Sequence, residues 1–113
     1  MYRQDFIQRQ IELLAGLVAN IVGKRESGLH KEALAESRKA YRALGIQPNM
    51  LDMDAKTLFA MIGDPGKLLA VAALLEEEAH VHDALGHAAA GAELRAQAGE
   101  IRALVEAASQ APA

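Results

Sequence analysis

The chain has 113 residues, a length for one domain, and a formal net charge of −3. Ala supplies 24 of its 58 apolar residues, and Val, Ile, Thr, Pro and Ser are scarce, which argues for an all-helical domain and against a sandwich, a barrel or a disordered chain. With no Cys, disulfides, thiol nucleophiles and iron–sulfur clusters are excluded, and an acidic balance makes a poor general nucleic-acid binder.

The opening MYRQDFIQRQ carries Arg3, Asp5 and Arg9 and lacks the apolar run of a signal peptide. No stretch approaches the ~20 apolar residues of a membrane span. The expectation is a cytoplasmic protein that engages neither membrane nor nucleic acid.

The spacing predicts a first helix over residues 3–27. Its apolar residues, Phe6 and Ile7 through Val22, cover about 180° of the wheel. Gly28 is placed to stop it in the left-handed conformation. A second helix is predicted over 30–44, with Ala33, Leu34, Ala40, Tyr41 and Leu44 inward and Lys31, Arg38 and Arg42 on another face; Gly45 stops it. Residues 45–54 read as a connector, with a turn at Pro48-Asn49, and a short third helix follows to Ile62 and Gly63.

Asp64-Pro65 opens a fourth helix, because Asp caps free N–H groups and Pro at the first helical position has none to lose. It runs to about Leu85, with Gly86 as its stop. The fifth helix, over 88–108, has a narrow, Ala-rich stripe. Residues 1–108 thus form a single domain, and 109–113 are expected to fray.

The segments Gly28-Leu29-His30-Lys31-Glu32-Ala33-Leu34 and Gly86-His87-Ala88-Ala89-Ala90-Gly91-Ala92 are alike: each has Gly at a turn and a small residue five positions on. The stretch GLHKEALAESRKAY resembles the turn and second helix of a tetratricopeptide (TPR) repeat, through Gly28, Glu32-Ala33-Leu34 and Lys39-Ala40, with Pro48 slightly late. The second copy departs from the pattern at Gly91, where Ala is usual. The copies lie 58 residues apart rather than the ~34 of a tandem array, which leaves room for a helical insert. Asp5-Phe6-Ile7, Arg9, Ile11, the Gly-turn-Glu-Ala-Leu and the Gly turn before the last helix also resemble a small family of uncharacterised bacterial TPR-like proteins. The resemblance implies an all-α fold of TPR-like antiparallel hairpins, about five helices with a short helical insert. It implies no chemistry.

Four residues of the fourth helix and its end, Glu76, His80, Asp83 and His87, share one stripe at one-turn spacing. Carboxylates and imidazoles so placed can ligate a divalent metal. A second helix must complete such a site, and the sequence identifies none, so these residues are expected to form a solvated face and no cofactor is expected. His82 falls instead in the apolar arc and is expected to be a core or interface histidine, with Glu78 one turn back to take its N–H; a dyad or a pH switch is the rival reading. Ser37 lies in the second helix's apolar arc and is expected to bond back to that helix. Gly63-Asp64-Pro65-Gly66 lacks the Lys and hydroxyl of a phosphate loop and reads as a cap. No nucleophile set stands out, so no enzyme is expected.

Residues 1–44 carry a charge of +3 and residues 45–113 carry −6, so the two halves attract each other, within one chain or between two. Lys31, Arg38 and Arg42 would dock an acidic peptide or the acidic half of a partner chain. The first helix is wider in apolar surface than one small domain covers. Either Phe6, Leu13 and Leu17 or Ile7, Leu14 and Val18 are then left to form an interface, and a homodimer is the expected solution. The rival reading makes this helix the centre of the domain. The function expected is a self-associating protein–protein interaction module; the alternative is a small metal- or ligand-binding helical protein using the histidines and carboxylates of residues 76–87.

Overall fold

The computed structural model describes residues 2–110, with no side chain described for residues 2–8, 10 and 11. It is all-helical: α1 (Tyr2–Glu26), α2 (His30–Ala43), a 3-10 turn (Pro48–Asp52), α3 (Ala55–Ile62), α4 (Pro65–Ala84) and α5 (Ala88–Gln110), with no strand among the described residues. The predicted helices hold, with ends shifted by one or two residues. The connector contains the 3-10 turn, and α5 continues through Ser109 and Gln110, which were expected to fray. No helix among the described residues is long and apolar enough to cross a membrane.

The boundaries follow local chemistry. Gly28, Gly45, Gly63 and Gly86, the four expected stops, are the four glycines with positive φ. After α1, Leu29 N–H donates to Lys24 C=O at 2.8 Å and Gly28 N–H to Arg25 C=O at 3.0 Å, closing off carbonyls the helix leaves open. His87 N–H repeats the first of these bonds after α4, on His82 C=O at 2.8 Å. At the other ends, the Asp54 carboxylate accepts from Thr57 N–H at 3.2 Å, and Asp64 accepts from Gly66 N–H at 2.9 Å. Gly63-Asp64-Pro65-Gly66 is thus a helix start, as expected.

The helices pack as two hairpins, α1 with α2 and α4 with α5, joined where α4 lies against α1 and α2; α3 fills in beside α5 and α4. The centre is α4. Its buried residues, among them Leu68, Val71, Ala72, Leu74, Leu75 and Val81, point all round the helix because it has neighbours on every side. Ala33 and Ala40 of α2 are fully buried, as the small-residue contact requires. From α1 the described core takes one fully buried side chain, Ile21, with Leu17 and Val18 packed against it. The reading of the first helix as the domain's centre therefore gives way to α4.

Candidate functional site

Two features stand out among the described residues: an uncovered face on α1 and a cavity between α2, the 3-10 turn, α4 and α5. The α1 face is a shallow depression lined by Leu14, Ala15, Val18, Ala19, Val22, Gly23 and Glu26. Beside it Leu13 is 51% exposed. Of the interface candidates, Leu13 is exposed as expected, but Leu17 is half-buried and packs on the core; Phe6 has a side chain outside the described residues. Leu17 turns inward because it lies one turn before Ile21, on the edge that meets α2 and α4. The other edge lines the open face through Leu14 and Val18, both half-buried, with Val18 also packed on the core; Ile7 has a side chain outside the described residues.

The cavity has a volume of about 670 Å³ and is more enclosed than the α1 depression. Ile46, Pro48, Leu51, Leu75 and Leu94 make its apolar walls. Its polar lining is Arg38, Tyr41, Arg42, Asp52, Glu78 and Gln97. Tyr41 reaches across from α2 and donates its hydroxyl to Glu78 Oε2 at 2.8 Å. Gln97 Nε2 donates to Leu51 C=O at 2.9 Å and ties α5 to the connector.

Burial sets the electrostatics here. Loss of water around Glu78 pushes its pKa above the ordinary carboxylate value; the Tyr41 and Ser37 hydroxyls and the charges of His82 and Arg38 act in the opposite direction. Burial first, and the Glu78 charge second, raise the Tyr41 phenol well above its ordinary value. Ser37 is fully buried beside both, and its Oγ has no well-aligned hydrogen-bond partner, so the expected bond back to its own helix is not made.

An acid whose folded pKa is raised contributes stability below its unfolded pKa, and that contribution is lost as pH rises through the folded value. Glu78→Gln keeps an acceptor for Tyr41 and removes the charge. It is therefore expected to raise Tm at pH 7 and to leave Tm unchanged near pH 4, which thermal unfolding followed by circular dichroism at the two pH values checks. A loss of stability at pH 7 would show that the ionised carboxylate is needed to hold Tyr41.

The stripe of Glu76, His80, Asp83 and His87 does not become a cluster. Glu76 pairs with Arg102 of α5 in a fork, at 2.6 and 3.1 Å, and Asp83 pairs with Arg95 of α5. His80 is exposed. No three His, Cys, Asp or Glu side chains among the described residues converge as metal ligands. The carboxylates turn to arginines on α5, a helix the wheel of α4 does not contain.

His82 differs from its expectation. It is half-buried, and its Nδ1 lies 3.4 Å from Nδ1 of exposed His87, with ring centroids 5.6 Å apart. Glu78 bonds Tyr41 instead of His82. Lys31, Arg38 and Arg42 are all exposed on α2, but only Arg38 and Arg42 line the cavity. The two charge halves meet where Arg25 of α1 faces Glu77 of α4 at 3.4 Å. No family model matches the sequence, and no curated protein or solved structure matches it either.

Proposed function

We propose that the protein is a protein–protein interaction module built of TPR-like hairpins, without catalysis, and that its first partner is a second copy of itself. The observation that carries this reading is the uncovered apolar face of α1 from Leu14 to Gly23. The face has two rows. Leu14, Val18 and Val22 form a larger row, and Ala15, Ala19 and Gly23 a smaller one, both at four-residue spacing. Both rows are symmetric about Val18 and Ala19. A twofold antiparallel pairing of two α1 helices centred on Val18 then sets Leu14 against the partner's Val22, and Val18 against the partner's Val18, with the small rows alongside. Like meets like in size, and the small row lets the backbones approach.

Light scattering at micromolar concentration tests it. The expected mass is twice the 12.1 kDa of the chain. Ala19→Glu alters an exposed helical position and leaves the core alone, so it should give a folded monomer. A wild-type monomer, or an Ala19→Glu variant that stays dimeric, overturns the reading. The alternative use of residues 76–87 as a metal site draws no support from side chains that turn to Arg95 and Arg102.

A further inference from the structure

The cavity between α2, the 3-10 turn, α4 and α5 plays no part in pairing through α1. Its volume of about 670 Å³ is in the range of small-molecule sites, and its walls combine apolar surface with a few convergent polar groups. Two of those groups carry opposite charges and leave each other unpaired. Glu78 lies on the α4 wall and Arg38 on the α2 wall. Arg38 is near enough for its charge to act on Glu78, yet no ion pair among the described residues joins them, and none engages Arg42. Of the Glu78 carboxylate, Oε2 is taken by Tyr41.

Opposite charges that line one cavity without touching define a gap. A group with a cation and an anion a few bonds apart fills it, with hydrogen bonds to both walls. An isolated anion suits the arginines but is repelled by Glu78 and Asp52, and an isolated cation meets the reverse. The rest of the occupant must be apolar, because Ile46, Leu51, Leu75 and Leu94 offer it no hydrogen-bonding side chain.

We propose that this cavity binds a small zwitterion with an apolar side chain, the chemistry of a free aliphatic or aromatic α-amino acid. Its carboxylate lies toward Arg38 and Arg42, its ammonium donates to Glu78, and its side chain sits between Leu75 and Leu94. Tyr41 is a positioning residue that holds the Glu78 carboxylate.

Calorimetric titration of the full chain at pH 7 with leucine and with phenylalanine tests this. Both are expected to bind. N-acetylphenylalanine, which lacks the ammonium, and phenylalanine amide, which lacks the carboxylate, should each bind about tenfold or more weakly, the loss of one charge-assisted hydrogen bond. Arg38→Ala and Glu78→Gln should each weaken phenylalanine binding by a similar factor. Arg38 is exposed and Gln is isosteric with Glu, so both variants are expected to keep the wild-type circular dichroism. Leu94→Trp, which fills the cavity from α5, should abolish binding. Failure of both free amino acids to bind at millimolar concentration overturns the proposal. So does equal binding of the blocked analogues, which would make the site one for a plain acid or a plain amine. Neither result bears on whether the chain is a dimer.

Discussion

Leu74→Ala is expected to cost about 2–5 kcal/mol of stability, read as the shift in the midpoint of urea unfolding with an unchanged slope. Leu74 is 0% exposed and sits on α4, the helix that α1, α2, α3 and α5 all touch. Removing its side chain leaves a void that no one neighbour can close, because a helix that shifts toward α4 on one side leaves its own partner on the other. A domain of this size has a total stability on the order of 5–15 kcal/mol, so one substitution removes a large share of it. The same truncation at Leu13, which is 51% exposed, is expected to cost less than about 0.5 kcal/mol in the monomer. Equal costs at the two positions would mean that α4 is not the centre of the core.

Gly91→Val is the second large effect, with an expected loss of about 2–3 kcal/mol. Gly91 is buried at the close crossing of α5 over α4. A Cβ there would lie 3.1 Å from the Ala79 carbonyl oxygen and would also press on the Asp83 carboxylate. The Asp83 side chain can swing away at the expense of its pair with Arg95. The Ala79 carbonyl belongs to the α4 backbone and cannot. Valine adds two further carbons to that contact. A Gly→Ala change elsewhere on α5 should have the opposite sign: a Cβ on Gly99 meets nothing within 4 Å, and Ala is the better helix former by about 1 kcal/mol. Thermal unfolding of Gly91→Val and Gly99→Ala should therefore give shifts of opposite direction. A neutral Gly91→Val would show that the two helices can part at no cost.

The Gly91 position also explains the weak second copy of the Gly-turn pattern. Ala33 in the first copy has room for its methyl group between α1 and α2, and Gly91 in the second has none between α4 and α5. The sequence shows the departure from Ala, but its cause is the distance to a backbone carbonyl 12 residues earlier, and that depends on how closely two helices cross.

The candidate site was legible only in parts. In the sequence Lys31, Arg38 and Arg42 share one face; the two arginines line the cavity, and Lys31 does not. By spacing alone Glu78 is the neighbour of His82, one turn back. Its partner is Tyr41, 37 positions away, because spacing along one helix constrains what can meet one turn on and says nothing of what another helix delivers. For the same reason Glu76 and Asp83 read as part of a solvated stripe on one helix, and they pair instead with arginines of α5. In the sequence the basic face of α2 reads as a docking surface for an acidic partner, and two of its three residues turn out to line the cavity.

Where helices begin and end is determined by the sequence itself. A capping carboxylate needs only N–H groups two or three residues on, as at Asp54 and Asp64, and a left-handed residue needs only to be Gly, as at Gly28, Gly45, Gly63 and Gly86. The all-α class follows from the same local rules and from apolar spacing. Which of two wide apolar helices is covered was decided by tertiary structure alone. The first and fourth helices both present broad apolar arcs, and the wheel cannot rank them. In the folded chain α4 stands where the two hairpins meet and is enclosed by four helices, whereas α1 stands at one side, where among the described residues it packs chiefly against α2 and α4. The apolar face that remains on α1 and the cavity that opens beside Tyr41 and Glu78 are both products of that docking, because each depends on the distance between helices far apart in the chain.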